Sequence, residues 1–264
     1  MTRTLAHVSD LHLGQDAPTE ESARALVDRL VAEGVDDVLV TGDVTHRGRA
    51  SELRTFERVF APLADRLVVV PGNHDRLGDD AGARLMPGAR VQVERRRGLL
   101  AVRLDSTAPH NRSLIDSHGE LSGADVAAVD SAVGTAPPET LVVLLLHHHL
   151  LPLPTETFSE RLAALLGWPN AAELERGREL LRRLHGRADV VAHGHRHVPS
   201  EVTLLPRGGR ALRVVNAGST PELGAVRVLA HARGCVMSER WLELDAGARL
   251  PAAAAPAPVV LAAA

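Results

Sequence analysis

Five times along the chain a short run of Val, Leu and Ala stops abruptly at acid, amide or imidazole side chains: LAHVSDLH (5–12), DVLVTGDV (37–44), LVVVPGNHD (67–75), LVVLLLHHH (141–149) and DVVAHGHRH (189–197). Apolar runs this short and this rich in Val predict strands buried on both faces. A chain that repeats the pattern must gather several buried strands into sheets and cover them with other layers. The polar residues then fall in loops at strand ends, where a rigid sheet can display reactive groups. In PGNHD, Pro-Gly ends the strand in a tight turn, and the next three positions carry an amide, an imidazole and a carboxylate.

What separates the runs sets the architecture. Strands are predicted near 4–9, 37–41 and 67–70, with amphipathic helices near 20–33 and 50–64 between them, a βαβαβ opening. Leu53, Phe56, Val59, Phe60 and Leu63 recur at helical spacing and form the stripe that packs on a sheet. VQVERRRGLLAVRLDS (91–106) predicts two strands around a basic loop, with Arg95, Arg96 and Arg97 in a solvated turn. SGADVAAVDSAV (122–133) predicts a helix capped by Ser122. Beyond it come a strand at 141–146, a helix at 171–185, a strand at 190–192 and strand-like alternation through 211–242. Helices between the early strands and strands crowding the late region predict an α/β layered sandwich over residues 1–250. The Ala/Pro-rich tail 251–264 is expected to be disordered.

Composition narrows the partners. The 264 residues are 45% hydrophobic, enough for a sizeable core. Thirty basic and 33 acidic residues leave a net charge of −3, with no single-sign field to attract a nucleic acid polymer or an anionic lipid surface. Cys235 is the only cysteine, which excludes an intrachain disulfide. No apolar stretch is long enough to span a bilayer, the opening MTRTLAHVSD lacks a signal-peptide core, and the expected location is cytoplasmic. Tyr is absent and other aromatics are few, yet there are 14 His.

The His fall largely at the strand ends. Asp10, His12, Asp43, Asn73, the run His147, His148, His149, and the pair His195 and His197 each follow a predicted strand. Imidazoles mixed with carboxylates suit Mn, Fe, Co, Ni or Zn, whereas a calcium site would be all oxygen. Seven or more candidate ligands are too many for one ion. Two ions roughly 3.5–4 Å apart need a bridging carboxylate and suit displacement at phosphorus, and Asp43 is the natural bridge. In extended segments the residues of Asp10-x-His12 and His195-x-His197 point the same way and can reach one site together.

Asp-x-His, Gly-Asp, Gly-Asn-His-Asp, histidine after an apolar strand, and Gly-His-x-His, in this order over residues 7–197, resemble the calcineurin-like metallophosphoesterases. In length and motif style the chain is similar to the bacterial cyclic-nucleotide phosphodiesterases of that family. The resemblance implies a four-layer αββα sandwich, two divalent metal ions, and a hydroxide bridging them as the nucleophile of a phosphodiesterase. It implies one metal on Asp10, His12, Asp43 and His197, and a second on Asp43, Asn73, His148 and His195. Within the His run the register is open by one position, with His147 and His149 as alternatives to His148. His74 corresponds to the family's catalytic imidazole, which stabilises developing charge or protonates the leaving alkoxide, and Asp75 to a supporting residue. His46 stands where protein Ser/Thr phosphatases carry an Asp that orients this imidazole, and the missing Tyr excludes the ferric-tyrosinate colour of purple acid phosphatases, which resemble this motif order too. The implied partner is a small phosphate-ester substrate, with a homodimer as one candidate assembly. Two rival readings stand: a lipid-precursor pyrophosphatase of the same family, with LLPLPTETFSERLAALLGW (150–168) as an apolar lid, and a non-catalytic metal-stabilised scaffold.

Overall fold

A computed structural model of the chain describes residues 1–113, 116–151, 173–205 and 210–244. Strand β1 (Arg3–Val8) leads into helix α1 (Ala17–Glu33), then β2 (Asp37–Thr41), α2 (Ala50–Val59) and β3 (Leu67–Val70). Helix α1 starts where Asp16 Oδ1 accepts from the Thr19 amide at 2.9 Å and stops at Gly34, whose φ of 66° only glycine adopts freely. Helix α2 is shorter than the expected 50–64. Pro62 follows its end, and the chain tightens into a 3-10 turn over Ala61–Arg66 that keeps Phe60 and Leu63 buried.

Next come α3 (Ala81–Leu85), β4 (Val91–Arg96) and β5 (Leu99–Leu104). Here the structure corrects an expectation: Arg95 and Arg96 lie within β4, and only Arg97 and Gly98 make the turn. Arg96 is bonded to the Leu67 carbonyl at 2.7 Å and to Glu94 at 3.1 Å, so its charge serves the strand pairing region and not a solvated loop. Helix α4 (Gly123–Val133) is capped by Ser122, whose Oγ accepts from the Asp125 amide while Asp125 accepts from the Ser122 amide. Then follow β6 (Leu141–Leu145), α5 (Gly177–Leu184), β7 (Val190–His193), β8 (Ser200–Leu204), β9 (Leu212–Asn216), α6 (Thr220–Leu223), β10 (Ala225–Ala232) and β11 (Cys235–Glu243). Strand β8 was not anticipated, and the described part of the expected helix 171–185 is helical only from Gly177.

These strands form two sheets, of order β11-β10-β1-β2-β3 and β4-β5-β6-β7-β9-β8. Alternation along each strand divides its side chains between two layers. Ala6, Val8, Val38 and Val40 pack on Leu26, Leu30, Leu53 and Phe56 of the helices outside the first sheet. Leu5, Leu39, Val68 and Val70 face the second sheet, where Ala101, Val143, Leu145, Val190 and Ala192 meet them. The other face of that sheet, with Val102, Leu144 and Val191, packs on Val126, Val129, Leu180 and Leu184 of α4 and α5. Three apolar interfaces make four layers, αββα, as expected. The tail 251–264 and nearly all of the candidate lid lie outside the described residues.

At one edge the two sheets are tied by charge. Glu201 of β8 accepts from Arg213 of β9 at 2.7 and 2.8 Å and from Arg227 of β10 at 2.8 Å. Glu239 of β11 closes the quartet by pairing with both arginines, and the Arg227 guanidinium lies 4.8 Å from the Trp241 ring centroid.

Candidate active site

The parallel strands β1, β2 and β3 of one sheet and β6 and β7 of the other end on the same side, and their following residues share one basin. Its backbone is unusual. Among the described residues seven non-glycines have positive φ, and four of them are Asp10 (52°), His12 (46°), Asp43 (49°) and His195 (69°). Left-handed backbone costs a non-glycine residue of order 1–3 kcal/mol, so the surrounding fold must hold each one in place. Two glycines let the loops close up. A Cβ on Gly72 would stand 2.2 Å from Asp43 Oδ1, and one on Gly194 would stand 1.9 Å from Ser9 Oγ and 2.6 Å from Asp10 Oδ2. Gly194→Ala is therefore expected to lower Tm and to reduce cation binding, because the added methyl must displace Ser9 or Asp10; unchanged Tm and affinity would refute this packing.

On one side of the basin are Asp10, His12 and His197, with one ligand atom of each within 4.8 Å of the others. Asp10 Oδ2 accepts from the His195 amide at 3.2 Å, while Oδ1 is buried without a hydrogen-bond partner, 3.6 Å from His197 Nε2. His197 Nδ1 lies 3.0 Å from Glu222 Oε1, which in the neutral ring places the proton on Nδ1 and leaves Nε2 for an ion. With no ion there, burial would lower the pKa of this ring, but Asp10 and Glu222 raise it. His197 Nε2 is 3.3 Å from His12 Nε2.

Asp43, Asn73, His147 and His195 make the other side. His147 Nδ1 donates to the Thr41 carbonyl at 2.7 Å, and its Nε2 faces Asn73 Oδ1 at 3.1 Å and Asp43 Oδ2 at 3.3 Å. Asn73 Oδ1 is also 3.1 Å from His195 Nδ1. Burial alone would depress the pKa of His147, but Asp43 raises it to about 9. Burial alone would raise Asp43, but the His147 charge holds it well below the usual carboxylate range. A proton is thus drawn to a place where lone pairs converge, and a cation can occupy the same place. His12 falls to about 3 through burial, against an opposing pull from Asp43, with nearby imidazoles lowering it further; His195 is lowered by burial and by its imidazole neighbours. Both rings are neutral and able to coordinate. The buried orphan oxygen, the facing imidazole nitrogens and the mixed N/O set fit divalent metal ions.

Of the three histidines open to the ligand role, His148 has its Nε2 on the Ser117 carbonyl at 2.9 Å and its Nδ1 2.8 Å from Ser106 Oγ, while one ligand atom of it lies within 4.8 Å of those of His147 and His195. His147 is the one that meets Asp43, with Nε2 3.3 Å from Oδ2. The reason is strand parity: Val143 and Leu145 face the other sheet, as His147 then does, while Leu144 and Leu146 face the helices.

His74 donates from Nδ1 to the His46 carbonyl at 2.8 Å and from its amide to Asp43 Oδ1 at 2.8 Å, and its ring meets that of His12 edge-on at 4.6 Å. The backbone of residue 46, not its side chain, orients this imidazole. Buried Asp75 accepts from the amides of Gly72 (2.9 Å) and Thr45 (2.8 Å) and so joins the two carboxylate-bearing loops. Sequence reasoning missed Thr41, Ser106 and Glu222. Asn216 Nδ2 bonds the carbonyls of Arg196 and Val198 at 2.7 and 2.9 Å, fixing the loop of His195 and His197.

Similarities to known proteins follow the same blocks. The family model described as calcineurin-like phosphoesterase matches residues 3–199. A protein named probable cyclic nucleotide phosphodiesterase from Ruthia magnifica is 19% identical over 227 residues, covering 83% of this chain and 87% of that protein. The 3',5'-cyclic adenosine monophosphate phosphodiesterase CpdA of Vibrio vulnificus is 27% identical over 160 residues, 56% of each chain. The chain thus spans little more than half of the Vibrio relative, and it spans 34% of a further one from Vesicomyosocius okutanii. A dimetal phosphatase from Danio rerio shares the fold, with a TM-score of 0.60 at 13% identity over 92% of this chain and 99% of its own. No helix among the described residues is long and apolar enough to cross a membrane. Since the family match runs through all five strand-end clusters, the chain belongs to the calcineurin-like phosphoesterase family, whose members are metal-dependent hydrolases.

Proposed function

We propose that this protein is a phosphodiesterase acting on a small phosphodiester with two divalent ions, and that cyclic nucleotides are the first substrates to test. The observation that carries the reading is the convergence of unshared lone pairs on both sides of Asp43. Asp10, His12, Asp43 and His197 would hold one ion; Asp43, Asn73, His147 and His195 would hold the other. Bound there, the ions supply a nucleophile ionised near neutral pH and positive charge opposite the phosphoryl oxygens. Glu222 and the Thr41 carbonyl fix the tautomers of His197 and His147 so that Nε2 of each faces the basin. His74, with Nδ1–H held on the His46 carbonyl, would assist the departing oxygen through Nε2. The names of the Ruthia and Vibrio relatives support the cyclic-nucleotide choice.

The test is hydrolysis of bis-p-nitrophenyl phosphate against p-nitrophenyl phosphate and cyclic AMP, after chelation and readdition of manganese, with Asn73→Ala as control. Metal-restored diester cleavage lost in the variant is expected; inactivity on every ester with ions bound would overturn the reading. The ligand register is tested separately. His147→Ala should lose more than the roughly 10–100-fold that follows removal of a supporting group, and His148→Ala should stay within that range. The reverse order would return the ligand role to His148.

A further inference from the structure

Beside the His46 and His74 rim, an open groove of about 300 Å³ is lined by Arg47, Arg49, Leu77, Gly78 and Arg112. Three of its five lining residues are arginines, and no carboxylate is among the described residues that line it. Nearby acids are engaged elsewhere. Glu52 accepts from the backbone amides of Arg47 and Arg49 at 2.8 and 3.1 Å, and Asp79 accepts from the Ala50 amide at 3.0 Å. Asp80 pairs with Arg112 at 2.9 Å but also with Arg76 at 2.9 Å, and uses one oxygen for each. Arg112 therefore keeps donors to spare, since a guanidinium offers five.

The groove is rigid at its base. Gly48, with a φ of 65°, sits between Arg47 and Arg49, and a Cβ on it would lie 2.1 Å from the Leu77 carbonyl oxygen. A Cβ on Gly78 would lie 2.6 Å from the Arg47 carbonyl oxygen, and the Gly48 carbonyl accepts from the amides of Asp79 and Ala81 at 3.1 and 3.2 Å. Two turns are thus locked backbone against backbone. The first continues directly from His46, whose carbonyl orients His74, and the second follows the turn that carries His74. The three arginines are exposed, but their backbone is anchored to the turns that carry His46 and His74, which puts their charge within reach of a substrate's far end.

We infer that this groove is a subsite for a second anionic group on the substrate, a phosphate or carboxylate borne by the part of the molecule remote from the scissile diester. The inference rests on the phosphodiesterase reading and makes it narrower. Guanidinium forks fit phosphate and carboxylate oxygens in pairs. A groove of this size matches the smallest ligand sites, which suits a single small anion and its carrier. A plain cyclic mononucleotide, with its one charge at the scissile phosphate, would leave the groove unused.

The test compares thymidine 5'-(p-nitrophenyl phosphate) with the same ester carrying a 3'-phosphate. In the unaltered protein the 3'-phosphate is expected to raise kcat/KM by about tenfold or more. In Arg49→Gln/Arg112→Gln the ratio between the two esters should fall close to one. A ratio near one in the unaltered protein, or the same ratio in the variant, overturns the subsite while leaving the phosphodiesterase reading intact. If neither ester is cleaved, calorimetric titration of the chelator-treated protein with inorganic pyrophosphate decides. Saturable binding, weakened at least about tenfold in the double variant, supports the subsite; no binding, or binding indifferent to the two substitutions, overturns it.

Discussion

Asp43→Asn is expected to reduce metal-dependent phosphodiester hydrolysis by well over the roughly 100-fold that marks loss of a supporting residue, and to lower the number of ions retained. Asn keeps the shape and an oxygen to accept from the His74 amide, as Asp43 does at 2.8 Å, so the turn should survive. What it removes is the negative charge that both halves of the basin share. Without that charge His147 loses the main support for an extra proton in the metal-free protein, and neighbouring lone pairs lose their common counter-charge. Initial rates with manganese, together with metal counts after dialysis, decide the matter. Activity within tenfold of the parent with two ions retained would remove Asp43 from the bridging position.

The second large effect concerns stability. Glu201→Ala leaves Arg213 and Arg227 facing only Glu239, with the Arg227 side chain 6% exposed. Removing one partner of a buried pair costs several kcal/mol. For a quartet that is partly wetted at Arg213 and Glu239 we expect about 3 kcal/mol, a fall of roughly 6–12 °C in Tm for a protein of this size. The effect depends on pH. Burial would raise the pKa of Glu201, but Arg213 and then Arg227 bring it below its ordinary value. A depressed acid stabilises fully above its unfolded pKa of about 4.3 and loses that contribution as pH falls through the lower folded value. The gap in Tm between parent and Glu201→Ala should be widest near neutral pH and narrow below about pH 4. A gap of under 2 °C at pH 7 would show that the quartet contributes little.

Much of this architecture was legible because apolar runs and their polar ends are local signals. Asp10, His12, Asp43, Asn73, His195 and His197 each sit next to their own strand, and the structure brings all six into one basin. The histidine after β6 was harder. Every residue of LVVLLL is apolar, so nothing in the run marks which parity faces the other sheet, and three consecutive imidazoles offer no contrast. Glu222 lies 25 residues from His197 in a four-residue helix, a distance no local pattern spans. Strand β8 escaped notice because SEVTL carries one clear apolar alternation and owes its place to Glu201 pairing across the sheets. Arg95 and Arg96 read as loop because three successive arginines suggest solvent, yet Arg96 reaches back over β3.

The left-handed backbone at Asp10, His12, Asp43 and His195 sets durability against chemistry in this protein. Glycine at any of the four would relieve a conformational cost of order 1 kcal/mol while deleting one of the side chains proposed to hold an ion. Variants selected only for resistance to heat or protease would therefore drift towards a well-folded, inert sandwich.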